Sequence, residues 1–427
     1  MNCYRLIHRC FLAVASGVWL LTGCFASSSS SDPLQTQSDG GSTHASTASS
    51  GTTSGSSTHS SASASSSASA APSSGGNLGP YTTSGNEILD KNGNEHFFRG
   101  LDRPSLESSC TGNINAPYEY SVMASWGANV VRLPLNQDCW INSSSNPAYN
   151  PSYESTVDQQ VQGALAYGMD IILDLHWSDT GNFSVGNTCL TSNGNCAQVM
   201  ADSNSNTFWQ QVATKYKNVA NVIFELYNEP HVGSTTPSAS DWGVWLNGGA
   251  SGTGFTVVGM QTLYNTVRST GANNLIIVGG QNWAFDLSQV PSYAITPMSG
   301  QPLNVIYNTH PYSNKNSGDS AWESAFGFLT QTYPVIATEF GDIASGQPMS
   351  SAGSATDCDP SFDTSLIQFM GQQSNPAPSH KMSWTAWAFD PDVPLSQECT
   401  FPDLIYDTQF DPNAVGTVVE DALTAGP

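Results

Sequence analysis

Eight short apolar runs rich in β-branched residues, each separated from the next by enough chain for a helix, constrain this sequence more than any other feature. They fall at 97–101, 129–133, 170–175, 222–227, 275–280, 304–309, 335–338 and 384–388. Most are hydrophobic without alternation, the pattern of strands buried on both faces. Helical periodicity fills the gaps. Val157, Val161 and Leu165 recur every four residues and stop at Gly168; Met260, Leu263, Tyr264 and Val267 behave likewise and stop at Gly271. Strand starts separated by about 30 to about 53 residues fit βα units with loops of varying length. Eight such units close into a (β/α)8 TIM barrel, an α/β fold. Residues 86–88 and the turn Lys91-Asn92-Gly93-Asn94 predict a short N-terminal hairpin covering the bottom of the barrel.

The barrel is expected to occupy 80–427. Ahead of it, Arg5 and Arg9 precede an apolar run at 11–21 that is too short to span a bilayer and has the form of a secretory signal. The run ends in Leu21-Thr22-Gly23-Cys24, which resembles a bacterial lipobox. On that reading residues 1–23 are a lipoprotein signal peptide, and acyl chains on Cys24 anchor the protein to a membrane surface. An ordinary signal peptide cut nearby is the alternative. Phe25 after the cysteine is compatible with the outer membrane, so the expected location is the bacterial cell envelope or the medium. Residues 24–79 are mostly Ser, Thr, Ala and Gly and cannot bury enough apolar surface to order themselves, which predicts a disordered linker with a reach of roughly 40 Å.

Six cysteines remain for the exported domain, an even number that suggests three disulfides. Proximity in sequence favours Cys110 with Cys139, Cys189 with Cys196, and Cys358 with Cys399, although other pairings are open.

In a (β/α)8 barrel the reactive groups stand at the C-terminal ends of the strands. Arg132 lies on the second strand; His176 and Trp177 end the third; Asn228 and Glu229 follow the fourth. Asn282 and Trp283 follow the fifth, His310 and Tyr312 the sixth, Glu339 the seventh, and Trp387 lies on the eighth. Glu229 and Glu339 are far apart in sequence, so only the fold can bring them together. A carboxylate after an apolar strand is expensive unless it has a partner or a purpose. Two facing carboxylates in a barrel mouth suit glycosidic bond cleavage, which needs one protonated and one ionised. Spacing alone leaves a second reading open, in which each Glu forms a buried ion pair with Arg132 or a histidine.

The segment Ile223-Phe224-Glu225-Leu226-Tyr227-Asn228-Glu229-Pro230-His231 resembles the signature of glycoside hydrolase family 5, the cellulase family. Arg132-Leu133-Pro134, Asp174-Leu175-His176-Trp177, His310-Pro311-Tyr312, Thr338-Glu339-Phe340-Gly341 and Trp387 match in order, so the resemblance covers about 100–420. It implies that Glu229 is the acid/base and Glu339 the nucleophile of a retaining mechanism, with carboxyl groups about 5–5.5 Å apart. It also implies that Trp387 stacks on the sugar at the −1 subsite. Asn228 is then suited to bond the sugar 2-hydroxyl, Tyr312 to donate to Glu339, and Arg132 to hold Glu339 by charge. His176 and His310 would fix the polar network and contact hydroxyls, or be satisfied core residues. Glu225 reads as an interior network residue. Trp177, Trp283 and Trp140 are candidates for outer subsites or for plain packing. The sequence departs from the family at Arg99-Gly100-Leu101-Asp102-Arg103-Pro104, where Asn and Gly residues are usual, which alters the rim near the negative subsites.

Composition excludes other partners. With 11 Lys+Arg against 34 Asp+Glu and a net charge of −23, the chain has no basic stripe for nucleic acid. A 10% aromatic content with few charges suits neutral, hydroxylated ligands. No HExxH and no GxxxxGK[ST] occurs, so neither a metal nor a nucleotide cofactor is expected. The expected function is a retaining β-glycoside hydrolase, endo-β-1,4-glucanase-like, acting as a monomer on β-glucan or a related plant polysaccharide. A β-mannanase, xyloglucanase or exo-glucanase shares the chemistry, and a non-catalytic glycan-binding lipoprotein is the reading from another class.

Overall fold

The computed structural model describes residues 78–181, 183, 197–252, 254–343, 359–372, 380–390, 402–406 and 408–426. The segment read as a signal peptide, Cys24, the linker as far as residue 77, and Cys189, Cys196, Cys358 and Cys399 lie outside the described residues.

The chain enters as an antiparallel hairpin of β1 (Thr82–Ser84) and β2 (Glu87–Leu89). Four strands follow: β3 (Arg99–Asp102), β4 (Val130–Asn136), β5 (Asp170–Trp177) and β6 (Val222–Glu225). A two-residue ribbon, β7 (Gly249–Ala250) with β8 (Thr256–Val257), interrupts the next crossover. Then come β9 (Ile276–Gly279), β10 (Val305–Thr309), β11 (Val335–Ala337) and β12 (Ser383–Ala386). Strands β3 to β6 and β9 to β12 pair in parallel, and β12 pairs back onto β3 to close an eight-stranded barrel. All eight expected strands are therefore present, displaced at their ends by a few residues.

The helices form in the gaps: α1 (Tyr118–Ser125), α2 (Gln137–Trp140), α3 (Tyr153–Ala166), α4 (Ser203–Tyr216) and α5 (Ala239–Asn247) in the first half. The second half carries α6 (Met260–Ser269), α7 (Val290–Tyr293), α8 (Asp319–Ala325), α9 (Ser361–Ile367) and α10 (Ala414–Ala425). Val157 and Val161 are the buried stripe of α3, which ends before Gly168 at φ 75°, a conformation open to glycine. Asp202 caps α4 by accepting from the Asn204 and Ser205 amides. No helix among the described residues is long and apolar enough to cross a membrane.

Side chains alternate along each strand, so the interior is built in layers. The lower layer is apolar: Val130, Ile172, Ile223, Ile277, Ile306 and Ile336 meet there, and Tyr81 and Ile88 of the hairpin region pack beneath them. The hairpin thus covers the bottom as expected. Its turn is at Gly85 (φ 59°) and Asn86, earlier than the Lys91–Asn94 turn anticipated from sequence. That second turn exists because Asp90 Oδ1 accepts the amides of Asn92 and Asn94, both at 2.8 Å, and leads only to a single bridge between Leu89 and Glu95. Two residues above the apolar layer, Arg132, Asp174 and Glu225 occupy the same inward positions. The interior therefore changes from hydrocarbon to charge within one strand step.

The Cys110–Cys139 disulfide is formed, with a Cα–Cα distance of 5.2 Å, and ties the loop before α1 to α2. Trp140 is not at the rim. It is 5% exposed and packs edge-on to Tyr153 and Phe208, so its large ring belongs to the helix layer.

At the bottom, Tyr81 Oη donates to Asp170 Oδ2 (2.7 Å) and Asn221 Nδ2 donates to Oδ1 (2.5 Å). Burial nonetheless pushes Asp170 up to about 7, and burial with the nearby Asp342 charge pushes Asp363 up to about 8. Both exceed the unfolded value of about 4, so the folded chain holds these protons where the unfolded chain does not. Their contribution to stability is full below about pH 4 and is lost as pH rises through 7 to 8. A higher melting temperature at pH 5 than at pH 8 is expected; equal values would contradict it.

Candidate active site

Arg132 is the centre of the upper layer. It projects inward from β4, is fully buried, and carries five short contacts. Nε meets Glu225 Oε2 at 2.6 Å; Nη1 meets Asp102 Oδ1 at 2.9 Å and Glu339 Oε1 at 2.7 Å; Nη2 meets Asp174 Oδ2 at 2.9 Å and Asn228 Oδ1 at 2.6 Å. A buried guanidinium is costly to desolvate, but here its donors face five acceptors from four strands or their ends. Burial opposes the charge, and the carboxylates of Asp174, Glu225, Glu339 and Asp102 outweigh it, raising Arg132 well above its usual value.

Below the rim, Glu225 is held by the Thr338 hydroxyl and the Asn308 amide, each at 2.7 Å to Oε1. Burial pushes Glu225 up to about 7 against the pull of Arg132. Its place is the network beneath the site, as its position inside β6 suggests. Burial likewise holds Asp102 well above the carboxylate range, with Arg132 opposing.

Glu229 and Glu339 stand above this layer, at the ends of β6 and β11. Glu339 is 5% exposed, and its two oxygens are engaged separately, Oε1 by Arg132 and Oε2 by the Tyr312 hydroxyl at 2.8 Å. The Glu229 side chain is more open, at 27%. Its Oε1 meets His310 Nδ1 at 3.2 Å. Burial raises the Glu229 pKa, opposed by the charges of Lys315, His176, His231 and Arg132. Burial pushes His310 down to about 3, so its ring is neutral. Asn308 uses its carbonyl oxygen to accept the Thr338 amide and offers its NH2 to Glu225 and to His310 Nε2 (3.0 Å). Nε2 also lies 3.0 Å from the Thr338 hydroxyl oxygen, and Nδ1 faces Glu229.

His176, on β5, bonds Asp174 Oδ2 through Nδ1 (2.7 Å) and lies parallel to Trp387 with centroids 5.7 Å apart. Burial works against charging it, but the Asp174 bond and the charges of Asp174 and Glu339 prevail, and its pKa is raised. Asn228 spans Arg132 and His176, the latter at 3.4 Å. Trp387 packs with Tyr312, Ile343 and Ala388 beside Glu339. Trp177 is 7% exposed and tilted against His176 at 6.3 Å. The structure therefore brings together Arg132, His176, Asn228, Glu229, His310, Tyr312, Glu339 and Trp387 and keeps Trp177 buried at the edge.

One oxygen of Glu229, one nitrogen of His310 and one oxygen of Glu339 lie within 4.8 Å of one another. Three such groups could in principle hold a metal ion. Glu339 has a partner on each oxygen, Arg132 on one and Tyr312 on the other, and His310 Nδ1 faces Glu229.

A model of the cellulase family, glycosyl hydrolase family 5, matches residues 89–392. The chain belongs to glycosyl hydrolase family 5. Its curated relatives are distant. An endoglucanase of Paenibacillus polymyxa is 26% identical over 315 residues, covering 62% of this chain and 71% of that protein. A manganese-dependent endoglucanase of Phanerodontia chrysosporium is 29% identical over 226 residues, covering 50% of this chain and 51% of its own length, so this family 5 chain spans about half of that relative. A β-glucanase from Saccharophagus degradans shares the fold with a TM-score of 0.60 at 24% identity, covering 81% of this chain and 92% of that one.

Sequence reasoning passed over several residues that the geometry brings in. Asp102 and Asp174 sit at inward positions of β3 and β5, and the two-residue alternation that selects Arg132 selects them too. His231 and Lys315 form a second group, around Asn282 and Trp283, which the sequence already places after the fifth strand. His231 lies parallel to Trp283 at 4.5 Å and donates from Nδ1 to the Glu229 carbonyl at 2.7 Å. Asn282, Trp283 and Ala284 have φ of 58°, 56° and 58°. Three consecutive left-handed residues other than glycine are strained, by about 1–3 kcal/mol each. The usable sequence signal was Lys315 itself, since cations are scarce in this chain.

Proposed function

We infer that this chain is a retaining β-glycoside hydrolase that cleaves β-1,4-linked glucan by double displacement. The observation that carries the reading is the pairing of Glu229 and Glu339 with oxygens within 4.8 Å. That separation suits direct attack by one carboxylate, whereas an inverting pair needs about 6.5–9.5 Å to admit water. Glu339, held between Arg132 and Tyr312, attacks the anomeric carbon. Glu229, whose pKa burial raises, gives its proton to the departing oxygen. Glu229 then takes a proton from water, which releases the sugar from Glu339. Asn228, fixed by Arg132, is placed for the 2-hydroxyl, and Trp387 for the apolar face of the −1 sugar.

The glucan preference is supported by the endoglucanase names of the relatives and by the complex of the Saccharophagus enzyme with cellotetraose. The exported, lipid-anchored location is part of the same proposal and rests on Leu21-Thr22-Gly23-Cys24.

The test is reducing-end release by the full chain from carboxymethylcellulose, mixed-linkage glucan, xyloglucan and mannan, with and without EDTA. Release from the glucans, unchanged by EDTA, with the β-anomer formed first in proton NMR, is expected. Initial α-anomer would reverse the stereochemical assignment, and loss of activity in EDTA restored by Mn²⁺ would make Glu229, His310 and Glu339 a metal site.

A further inference from the structure

Among the described residues the large hydrophobic side chains that stand exposed are Tyr118 at 51%, Tyr406 at 40% and Tyr167 at 39%. Helices of a (β/α)8 barrel begin on the mouth side and end at the bottom. Tyr167 is the C-cap of α3 and so lies at the bottom. A single exposed tyrosine needs no explanation, but the other two gather at one place on the mouth side. Tyr118 is the first residue of α1, the helix that follows β3. Its ring meets the Phe410 ring edge-on at 5.6 Å. Tyr406 belongs to the same turn as Phe410, and its amide donates to the Asp411 carbonyl at 2.8 Å.

The turn is held in a costly conformation. Phe410 has φ 64°, which a bulky residue rarely adopts. In that conformation its buried ring stacks on Phe389, with centroids 5.1 Å and planes 5° apart, and Phe389 meets Trp126 edge-on at 5.5 Å. Tyr118 is thus backed by a fixed column of rings.

The same segment starts beside the cleft. Phe389 lies two residues beyond Trp387, and its amide donates to the Asp102 carbonyl at 2.8 Å; the Leu404 amide donates to the Ala388 carbonyl at 3.0 Å. Pro402 packs so closely on Gly341 that a Cβ added there would stand 2.6 Å from the Pro402 Cβ. The chain that carries Tyr406 and Phe410 therefore leaves from next to Trp387 and Glu339 and reaches Tyr118, on the side of β12 and β3.

We propose that Tyr118 and Tyr406 form a second glycan-binding surface, which stacks on a β-linked glucan chain beyond the sugars held at Glu229 and Glu339. It rests on the reading of the chain as a glucan hydrolase. A braced, exposed phenol ring offers a flat apolar face with a polar tip, and a pyranose offers an apolar C–H face rimmed by hydroxyls. The surroundings suit a neutral ligand. Glu119, next to Tyr118, is buried and engaged by Arg103 Nε and the Asn115 amide, and the exposed Asn115 brings an uncharged side chain. A stable protein partner would need about 800 Å² from each side, which two tyrosines on a polar turn do not supply.

The experiment compares full chains carrying Tyr118→Ala, Tyr406→Ala, both changes, or Tyr167→Ala. Binding is read by electrophoresis through gels containing mixed-linkage glucan, in a Glu339→Gln background so that the polymer survives. Turnover is read without that change, on the same polymer and on an aryl cellobioside. Removing one ring should weaken retention by the glucan roughly three- to tenfold, and removing both should weaken it further. KM on the polymer should rise with kcat unchanged. The aryl cellobioside is too short to reach the turn and should be hydrolysed as by wild type, and Tyr167→Ala should match wild type throughout. Retention of the double variant equal to that of its parent would overturn the proposal. A fall in aryl cellobioside turnover would do the same, by making the tyrosines supports of the cleft. So would a dimer in sedimentation velocity that is lost with the two rings, which would make a second copy the occupant. Absence of wild-type turnover on both substrates would instead sink the hydrolase reading, and the gels would still decide whether Tyr118 and Tyr406 hold glucan.

Discussion

Glu339→Gln is expected to lose turnover on every glycoside, by roughly 10⁴-fold or more in kcat, with little change in substrate binding. The amide keeps the shape of the side chain: its single oxygen can accept from Arg132, which bonds Glu339 Oε1 at 2.7 Å, and its NH2 then faces the Tyr312 hydroxyl, which bonds Oε2 at 2.8 Å and must turn to accept. The amide cannot form the covalent bond to the anomeric carbon. Glu229→Ala should separate from it by substrate. A polysaccharide needs a proton on its leaving oxygen, whereas an aryl glycoside with an acidic phenol departs unaided, so the Ala variant should lose far more on the former. Comparable losses on both substrates would count against the assignment of acid and nucleophile. Initial rates on glucan and on an activated aryl cellobioside provide the measurement.

Arg132→Met should have the largest effect on stability. It removes the one cation among Asp102, Asp174, Glu225 and Glu339 and leaves their charges facing one another in a buried layer. Breaking a buried pair by deleting one partner costs about 3–5 kcal/mol, which for a domain of this size lowers the melting temperature by roughly 5 °C. The loss should depend on pH. Burial already holds Asp102 and Glu225 above their unfolded values and Arg132 pulls both down, so without Arg132 both rise further. Groups raised in the folded state contribute stability that is full below the unfolded value of about 4 and is lost as pH rises through the folded one. The gap between variant and wild type should accordingly narrow at pH 5 and widen at pH 8. A gap that does not change with pH would show that Arg132 acts by packing alone.

The barrel is readable in the sequence because its eight strands are buried on both faces and so lack the ambiguity of alternating patterns. The strand ends also announce themselves: Asn228 and Glu229, Thr338 and Glu339, and Asn308, Thr309 and His310 are polar where the runs before them are mostly apolar. Less visible is what depends on the closing of the barrel. That Arg132 meets four carboxylates at once follows from the register of β3, β4, β5, β6 and the end of β11 around a ring, and no local pattern encodes it. Lys315 is hidden for a different reason. It sits in a loop, and its partners are the carbonyl and ring of a left-handed turn more than thirty residues earlier. Trp140 and Trp177 show the converse: an indole near a strand end in sequence can be turned into the packing, where Trp140 buries its ring and donates its N–H to Gln211 Oε1 at 3.0 Å.

The abrupt change inside the barrel, from isoleucines to a guanidinium with its carboxylates, divides the work of tuning this enzyme. Residues of the lower layer and the hairpin beneath it pack among themselves, while Asp102, Asp174, Glu225, Asn228 and Glu339 above them are all held by Arg132. Heat tolerance can therefore be sought among Ile88, Ile172, Ile223 and Ile306 by changes in shape alone, and gains made there should add to gains made at the mouth. A directed-evolution library split along that line would let durability and substrate choice be selected separately and then recombined.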